Sequence, residues 1–316
     1  MTGNITEKQN VMGHALALIT VFIWGTTFIS TKILLLSFSP IEILFIRFVL
    51  GWMALSLAYP RRLVIKDRKQ ELYFAAAGLC GVTLYFLLEN IALTYTLASN
   101  VGVIASIAPF FIAIFAHLFL KGEKLRMQFF VGFVFAIVGI FLISFNGKFV
   151  LEMNLFGDLL AVLATITWGI YSILTKKIGE FQYNTIQMTR RIFSYGLVFM
   201  IPALFLFDFN PDIHQLVQPV NLFNILFLGF GASALCFASW NSAVKILGAI
   251  RTSVYIYMVP VITVITSAIV LQERISGIAV FGIIFTLAGL LLSEQRTTLE
   301  IKRYFAKNNA ECKNHS

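Results

Sequence analysis

The sequence predicts an all-α integral membrane protein in which ten transmembrane helices form two inverted halves of five. Three observations lead to this fold class. The 316 residues are 59% hydrophobic and 12% charged, with a mean hydropathy of +0.85, whereas a soluble domain has about 45–50% apolar and about 25% charged residues. The apolar residues form ten stretches, each near the roughly 20 residues that a membrane-spanning helix needs. The two halves of the sequence also align with each other.

Polar and charged breaks divide the ten apolar stretches. Charged residues separate the second and third spans, and the longest loop covers 208–218. The first span is too long for the apolar core of a signal peptide and lacks its cleavage motif, so we expect it to remain as a helix. The predicted spans are 13–36, 41–59, 71–93, 100–120, 127–146, 157–176, 184–207, 222–245, 250–271 and 276–294.

The distribution of Lys and Arg predicts the orientation. Of the 24 Lys and Arg residues, 18 lie on the side of both termini and two on the opposite side. Cytoplasmic loops carry such an excess, so we expect residues 1–12 and the basic tail 295–316 in the cytoplasm. The net charge of +9 would suggest nucleic-acid binding in a soluble protein. Here it reports orientation, and we expect no nucleic-acid partner.

The two halves, 13–146 and 157–294, are repeats of each other. Each half holds five spans, an odd number, so the second must enter the membrane from the opposite side. Inverted repeats are typical of alternating-access transporters, whose substrate site lies near the bilayer midplane between the repeats. The aligned pairs, at offsets of 144 or 151, include Trp24 with Trp168, Lys32 with Lys176, Arg47 with Arg191, Asn90 with Asn241 and Pro109 with Pro260.

The first half contains a set of characteristic motifs, and the second half contains weaker counterparts. They are WGTTFISTK at 24–32, Arg47, Pro109, and GEKL at 122–125 followed by Gly132 and Gly139. In these residues the chain resembles the EamA-type transporters of the drug/metabolite transporter superfamily. The resemblance implies ten helices with both termini inside, a bacterial cytoplasmic membrane as the location, and a small-molecule substrate. Relatives export amino acids, other metabolites or drugs, and a few import compounds.

Charged side chains within the spans are the first candidates for a substrate site. Each costs about 2.5–3.5 kcal/mol to insert, so such groups face the bundle interior. Lys32, Arg47 and Glu89 lie at similar depth below the outer surface, and we expect Glu89 to approach one of the two cations. Two interpretations stay open. The three form a structural ion pair between helices, or they form a site for an anionic group with a carboxylate that exchanges protons.

The second half lacks the acid of the first. Arg191 aligns with Arg47, but Glu89 aligns with Trp240. We therefore expect Arg191 to have no acidic partner and to bind a carbonyl, a lipid headgroup or the substrate. The adjacent Arg190 is expected to extend toward the membrane surface.

Aromatic and polar residues complete the predicted substrate site. Residues four apart share one helix face, and those repeated in both halves carry more weight, because most aromatic side chains of membrane proteins face lipid. These further candidates are Trp24, Phe28, Tyr85, Asn90, Trp168, Ser172, Trp240, Asn241 and Tyr257.

Prolines and small residues predict the packing of the helices. Pro109 and Pro260 lie at equivalent midspan positions, where a kink either serves as a gate hinge or only shapes the bundle. Small residues spaced three and four apart, from Gly132 to Gly139 and from Gly282 to Gly289, indicate close helix contact.

These residues predict a secondary transporter that exports a small zwitterionic or anionic metabolite, with amino acids first. A drug or cation exporter of the same superfamily is the alternative, and the positive balance of deep charges disfavours it. An integral-membrane enzyme or a channel is less favoured, because the four His and three Cys are scattered and no phosphate-binding glycine loop is present. We expect no catalytic residue, metal or cofactor. The sequence does not fix the oligomeric state, and we expect a monomer.

Overall fold

The structure is a computed structural model that describes residues 2–65, 67–95, 98–120, 127–144, 154–207, 209–270 and 276–294. All regular secondary structure within these ranges is helical. The α-helices are α1 (Thr2–Leu34), α2 (Pro40–Ala58), α3 (Arg68–Gly78), α4 (Tyr85–Tyr95), α5 (Ala98–Ala105), α6 (Ala108–Phe119), α7 (Met127–Ser144), α8 (Leu155–Glu180), α9 (Thr185–Leu206), α10 (Ile213–Leu216), α11 (Pro219–Leu226), α12 (Cys236–Leu247), α13 (Ala249–Ser253), α14 (Met258–Val270) and α15 (Gly277–Glu294). Two π-helical segments, Leu79–Leu84 and Phe227–Leu235, and one 3₁₀ segment, Val254–Tyr257, join consecutive α-helices.

Each predicted span coincides with helical structure, and α1 begins at Thr2, within the predicted tail. By length and composition, six helical runs within the described residues can cross a membrane: Gln9–Thr31, Pro40–Ala58, Arg68–Tyr95, Leu155–Glu180, Thr185–Leu206 and Pro219–Leu247. Shorter apolar helices cover Ala108–Phe119, Met127–Ile143, Ala249–Thr263 and Gly277–Ser293.

The fourth and ninth predicted spans are broken helices. α5 ends at Ala105, and Pro109 lies in the first turn of α6. Pro260 occupies the first turn of α14, directly after the 3₁₀ segment. A first-turn proline is tolerated because the N–H group that it lacks has no partner within the helix there. The prolines therefore follow breaks between helices, and their role as hinges stays a prediction.

The third span of each half contains a π-helical segment at an equivalent place. The offset of 151 residues places the segment Leu79–Leu84 within the segment Phe227–Leu235. The hydrogen bonds of a π-helical turn run from i to i+5, one residue further than in an α-helix. Such turns are frequent at functional sites. Nothing in the hydropathy pattern indicated these segments.

Helices of one half pack against helices of the other at equivalent glycines. A Cβ on Gly78 would lie 2.7 Å from the backbone nitrogen of Gly196 on α9. A Cβ on the aligned Gly229 would lie 2.6 Å from the Cβ of Leu50 on α2. The third span of each half therefore crosses the second helix of the other half at close range.

Helices α7 and α15 pack through the predicted small residues. A Cβ on Gly132 would lie 2.6 Å from the carbonyl oxygen of Gly289, and one on Gly282 would lie 2.6 Å from that of Gly139. No side chain larger than a hydrogen atom fits at these crossings. The predicted close contact is confirmed.

The two residues of the repeated Trp-Gly pair face different neighbours in each half. The glycine packs against a helix, and the tryptophan points to the centre of the bundle. Gly25 contacts α14, where an added Cβ would lie 2.7 Å from the Cβ of Ile262. Gly169 faces α6, where the corresponding distance to the Cβ of Phe111 is 3.3 Å. The tryptophan before each glycine lies about 100° around the helix and points to the centre of the bundle.

Candidate functional site

Predicted aromatic residues from both halves meet at the centre of the bundle. The ring centroids of Trp24 and Trp168 are 5.4 Å apart, those of Trp24 and Trp240 are 5.1 Å apart, and those of Tyr85 and Trp168 are 4.9 Å apart. Phe237 lies 5.9 Å from both Trp24 and Trp168. We call these five residues the central aromatic cluster. Separations of this size are typical of favourable aromatic pairs.

The sequence analysis missed the phenylalanines beside this cluster. Phe237 aligns with Phe86 at the offset of 151, and their rings lie 6.1 Å apart. Phe48 on α2 and Phe193 on α9 are also in contact, with centroids 4.9 Å apart. Among 32 phenylalanines these four did not stand out by composition. The equivalent positions of Phe86 and Phe237 were the signal that could have found that pair. No such signal marked Phe48 or Phe193, because Phe48 aligns with Ile192 at the offset of 144.

Arg47 is buried between the two halves. Its side chain is 6% exposed, and its Nε donates a hydrogen bond to the Ser233 hydroxyl at 3.0 Å, on the π-helical segment of the second half. The guanidinium carbon lies 4.8 Å from the centroid of Phe86 and 5.4 Å from that of Phe48. Cation–π contacts of this kind stabilise a desolvated guanidinium. Ser233 is its hydrogen-bond partner among the described residues.

Glu89 points to the bundle interior. One of its oxygens accepts a hydrogen bond from the Tyr85 hydroxyl at 2.8 Å, and the Tyr85 ring belongs to the central aromatic cluster. Phe86 lies between this tyrosine and Arg47, with its ring centroid 4.8 Å from that of Tyr85 and 4.8 Å from the Arg47 guanidinium carbon. No ion pair within 4.0 Å joins Glu89 to a cation whose side chain the structure describes. The expected contact with Arg47 is therefore not formed in this structure.

Arg191 has an acidic partner, although the sequence predicted none. Its guanidinium forms an ion pair with Glu71 on α3, and the Tyr195 hydroxyl donates to the same carboxylate at 2.8 Å. The expectation of an uncompensated Arg191 is wrong, because Glu71 reaches it from the start of the third span of the other half. Arg190 instead donates to the carbonyl oxygens of Tyr59 and Arg61 at 2.8 and 2.6 Å.

The two aligned asparagines differ in their contacts. Asn241 accepts a hydrogen bond from the Tyr171 hydroxyl at 2.8 Å and donates to the Thr189 hydroxyl at 3.1 Å. All three side chains are at most 1% exposed, so Asn241 joins α8, α9 and α12. Asn90, next to Glu89, is 7% exposed and has no hydrogen-bond partner in the part of the chain that the structure describes. Asn90 is therefore the better candidate for a ligand contact.

Two other polar residues singled out from the sequence donate hydrogen bonds to backbone carbonyl oxygens of the protein. The Ser172 hydroxyl donates to the carbonyl oxygen of Trp168 at 2.9 Å, on its own helix. The ammonium group of Lys176, the counterpart of Lys32, donates to the carbonyl oxygen of Lys245 at 3.4 Å. The side chains of Phe28 and Lys32 lie outside the part of the structure that is described, so their predicted roles stay predictions.

Two buried donors near the centre lack an acceptor. The indole Nε1 of Trp240 and the hydroxyl of Tyr257 have no hydrogen-bond partner among the described residues, although their side chains are 1% and 0% exposed. Leaving such groups unpaired costs about 1–3 kcal/mol each, so both are candidates for hydrogen bonds to a ligand. The searched residues hold no cluster of three metal-ligating side chains.

The profile of the EamA-like transporter family matches residues 11–145 and again residues 155–294. A solved crystal structure superimposes with a TM-score of 0.72 at 18% identity, covering 94% of this chain and 99% of the other. An identity this low shows the fold alone.

Curated relatives match over most of their length. A protein of Archaeoglobus fulgidus named as an uncharacterized transporter is 28% identical over 90% of this chain and 98% of its own. One of Escherichia coli, "Probable amino-acid metabolite efflux pump", is 25% identical over 88% and 93%. One of Streptantibioticus cattleyicolor, "Probable terminal-alkyne amino-acid exporter", is 26% identical over 88% and 92%. With both halves matched by the family profile, this multi-pass membrane chain is a transporter rather than an enzyme and belongs to the EamA-like transporter family.

Proposed function

We propose that this protein is a secondary transporter that exports small zwitterionic or anionic metabolites, with amino acids or close derivatives first, by alternating access. One observation carries the proposal: Arg47 is a 6% exposed cation between the two halves, with a neutral serine as its described hydrogen-bond partner. A buried charge is costly unless it is paired. A carboxylate brought by the substrate would supply the missing pair.

We propose the predicted topology for the same protein. The repeats are 13–146 and 157–294, each with five membrane spans in opposite orientation, and the tails 1–12 and 295–316 lie in the cytoplasm. The two separate matches of the family profile and the glycine contacts between halves support this organisation. The proposed location is the bacterial cytoplasmic membrane, which the bacterial relatives favour.

The substrate class is supported by the names of two relatives, which describe amino-acid efflux. It is also supported by the site, because Arg47 lies beside aromatic side chains that offer an apolar wall for the rest of a small molecule. The proposed substrate-lining residues are Arg47, Glu89, Asn90, Tyr257 and the tryptophans and tyrosine of the central aromatic cluster. Arg191, Asn241 and Ser172 form contacts within the protein and are not among them.

The experiment is efflux from proteoliposomes that contain the purified full-length protein. The vesicles are loaded with the twenty standard amino acids, and each is measured outside over time by mass spectrometry. We expect selective efflux of a subset, with loss of that efflux in Arg47→Met. Arg190→Met is the matched control, since it removes the same side chain from a residue that contacts loop carbonyls. Efflux of no amino acid, or equal efflux with and without Arg47, would contradict the proposal.

A lipophilic cation is the second candidate substrate. The observation that favours it is that the Glu89 carboxylate accepts a hydrogen bond from Tyr85, whose ring lies 4.9 Å from that of Trp168. Aromatic and acidic groups together bind organic cations. Ethidium loaded into the same vesicles tests this candidate. Efflux of ethidium without efflux of any amino acid would establish it in place of the amino-acid proposal.

Proton coupling is proposed for Glu89, which is an inward-facing carboxylate without an ion-pair partner among the described side chains. The same vesicles with an imposed pH gradient test it. We expect the gradient to accelerate amino-acid efflux in the wild type and to have no effect in Glu89→Gln. Acceleration of similar size in both would show that Glu89 does not carry the proton.

A further inference from the structure

Resting on the proposed function, we propose that Arg47 and Glu89 form a two-ended clamp for a zwitterion: the free edge of the Arg47 guanidinium binds the α-carboxylate, and the Glu89 carboxylate binds the α-ammonium group of the same molecule. The central aromatic cluster then contacts the side chain of the ligand. The clamp requires both charges on one ligand, so it excludes simple anions and simple cations as good substrates.

The Arg47 guanidinium has donors left over. A guanidinium carries five N–H donors in a planar fork, and the Nε donor is used by Ser233 at 3.0 Å. Phe86 and Phe48 lie against the side chain at 4.8 and 5.4 Å from the guanidinium carbon. The terminal amino groups have no acceptor among the residues that the structure describes. A carboxylate can accept from both of them in a bidentate pair, the geometry in which arginine binds carboxylates best.

Glu89 offers the complementary end. Its Oε1 is held by the Tyr85 hydroxyl at 2.8 Å, which fixes the carboxylate on the inward face of α4. Its second oxygen has no partner among the described residues. An ammonium group donates three hydrogen bonds and would satisfy that oxygen. Because Tyr85 orients the carboxylate beforehand, less conformational freedom is lost when the ligand binds.

The acid and the base are near each other without being paired. Phe86 links them, since its ring contacts the Arg47 guanidinium at 4.8 Å and lies 4.8 Å from the ring of Tyr85. No ion pair within 4.0 Å joins the two charged groups. An α-amino acid carries its two charges on a single carbon atom. Such a molecule fits a site where an acid and a base are held apart at short range.

Trp240 adds a neutral donor from the second half of the chain. This residue aligns with Glu89 in the repeat, and its Nε1 is buried without an acceptor among the described residues. Its ring lies 5.1 Å from that of Trp24. Equivalent positions therefore present an acid from one half and an N–H donor from the other. This asymmetry matches a ligand with a positive end and a hydrogen-bond-accepting end.

The test uses three probes that share one apolar side chain and differ in charge: leucine, 4-methylpentanoate and 3-methylbutylamine. Their efflux is compared in proteoliposomes of the full-length protein, with protein-free vesicles as the control for leakage. The wild type is expected to move leucine about tenfold faster than either analogue, because each analogue leaves one buried group unpaired. If another amino acid leaves the vesicles faster than leucine, the matching three probes are made from that amino acid.

Two variants separate the ends of the clamp. Glu89→Gln is expected to lower the ratio of leucine to 4-methylpentanoate efflux about tenfold, and Arg47→Met is expected to lower the ratio of leucine to 3-methylbutylamine efflux by a similar factor. Tyr85→Phe leaves both charges in place, and we expect a smaller drop of about threefold in the first ratio. Lys32→Met is the control variant. It tests whether the Glu89 carboxylate pairs with the Lys32 ammonium group instead of with the ligand.

Four outcomes decide the clamp. Amino-acid efflux with both ratios unchanged in the variants overturns the clamp and leaves the proposed function intact, whereas no amino-acid efflux by the wild type overturns both. A shift in Lys32→Met as large as that in Glu89→Gln assigns Glu89 to Lys32 and overturns the clamp. If a variant fails to fold, a competition experiment with the wild type decides. Inhibition of leucine efflux by either analogue as strong as that by unlabelled leucine overturns the clamp. Inhibition about tenfold weaker supports the clamp.

Discussion

Arg47 and Arg191 occupy equivalent positions in the two halves, 144 residues apart, but their surroundings differ. Arg47 is 6% exposed, lies against two phenylalanine rings and has Ser233 as its described hydrogen-bond partner. Arg191 has a 40% exposed side chain and forms an ion pair with Glu71. Both halves therefore carry the arginine at the same place on the equivalent helix. Whether its charge is neutralised depends on the helix of the other half that packs against it.

The source of this difference is the third span of the opposite half. Glu71 stands near the start of that span in the first half, and its aligned counterpart in the second half is Leu222. In the other direction, Ser233 contacts Arg47, and its counterpart is Val82. Each arginine thus faces residues that the repeat does not preserve. Two equivalent positions therefore have different partners: Arg191 is paired with an acid of the protein, whereas Arg47 has a neutral serine as its described hydrogen-bond partner.

The largest effect should come from removing the unpaired charge. We expect Arg47→Met to reduce amino-acid efflux about 100-fold, equal to roughly 2.7 kcal/mol, and to leave thermal stability unchanged or raised, because a buried cation is replaced by an apolar side chain. Arg191→Met is expected to keep efflux within about threefold of the wild type. Efflux and melting temperature in detergent measure the two effects. Equal losses of efflux in both variants would remove the distinction between the two arginines.

The second largest effect should be a difference in stability between alanine substitutions of the glycines beside the two arginines. A Cβ on Gly78 would meet backbone atoms of Gly196 and Ile192 at 2.7 Å, whereas one on Gly229 would meet the Leu50 side chain at 2.6 Å. Three atoms fixed by the α9 backbone lie within 3.0 Å of the added Cβ at Gly78, whereas at Gly229 one such atom, the Cβ of Leu50, lies that close. We therefore expect Gly78→Ala to cost about 2–3 kcal/mol of stability and Gly229→Ala about 1 kcal/mol. Thermal unfolding of both variants tests the order. Gly102→Ala is the control, since a Cβ there meets no atom of the described residues within 4 Å.

Removing the hydroxyl that holds Arg47 should have a smaller effect. Ser233→Ala deletes the hydrogen bond to Nε, and we expect the concentration for half-maximal efflux to rise about fivefold, near 1 kcal/mol. The maximal rate should stay close to that of the wild type, because the guanidinium charge remains. Ser242→Ala is the control, since that hydroxyl donates to a carbonyl of its own helix at 2.8 Å. A loss as large as that of Arg47→Met would show that the serine acts on its own.

The ion pair of Arg191 should give the smallest effect. Its two side chains are 40% and 27% exposed, so water screens their attraction. We expect a double-mutant cycle with Arg191→Met and Glu71→Gln to give a coupling of about 0.5–1 kcal/mol in stability. Amino-acid efflux should be retained in the double variant. A coupling above about 3 kcal/mol would place this pair among buried ion pairs.

Part of the candidate site was predictable from the repeat. Trp24 and Trp168 were singled out because they align, and the structure places their rings 5.4 Å apart. Residues aligned in two related halves meet where the halves face each other, so alignment is a guide to the centre of such a protein. The same reasoning applied to Phe86 and Phe237 would have found a further central pair.

The sequence by itself determined the helical membrane character and the positions of its helices. A run of about 20 apolar residues must satisfy its backbone hydrogen bonds internally in a bilayer, which leaves a helix as the outcome. That constraint acts locally, so hydropathy and composition suffice to see it. Small-residue spacing also predicted that α7 and α15 pack closely against a helix, because small side chains let backbones approach. That the two helices pack against each other came from the structure.

Only the tertiary structure decided the partners of the charges. The pairing of Arg191 with Glu71, the burial of Arg47 against Ser233 and the use of Asn241 to join three helices depend on which helices cross and at what depth. These contacts join residues 70, 120 and 186 positions apart along the chain. Electrostatic and hydrogen-bond partners are set by distance in space, which a one-dimensional pattern of hydropathy and repeat spacing does not contain.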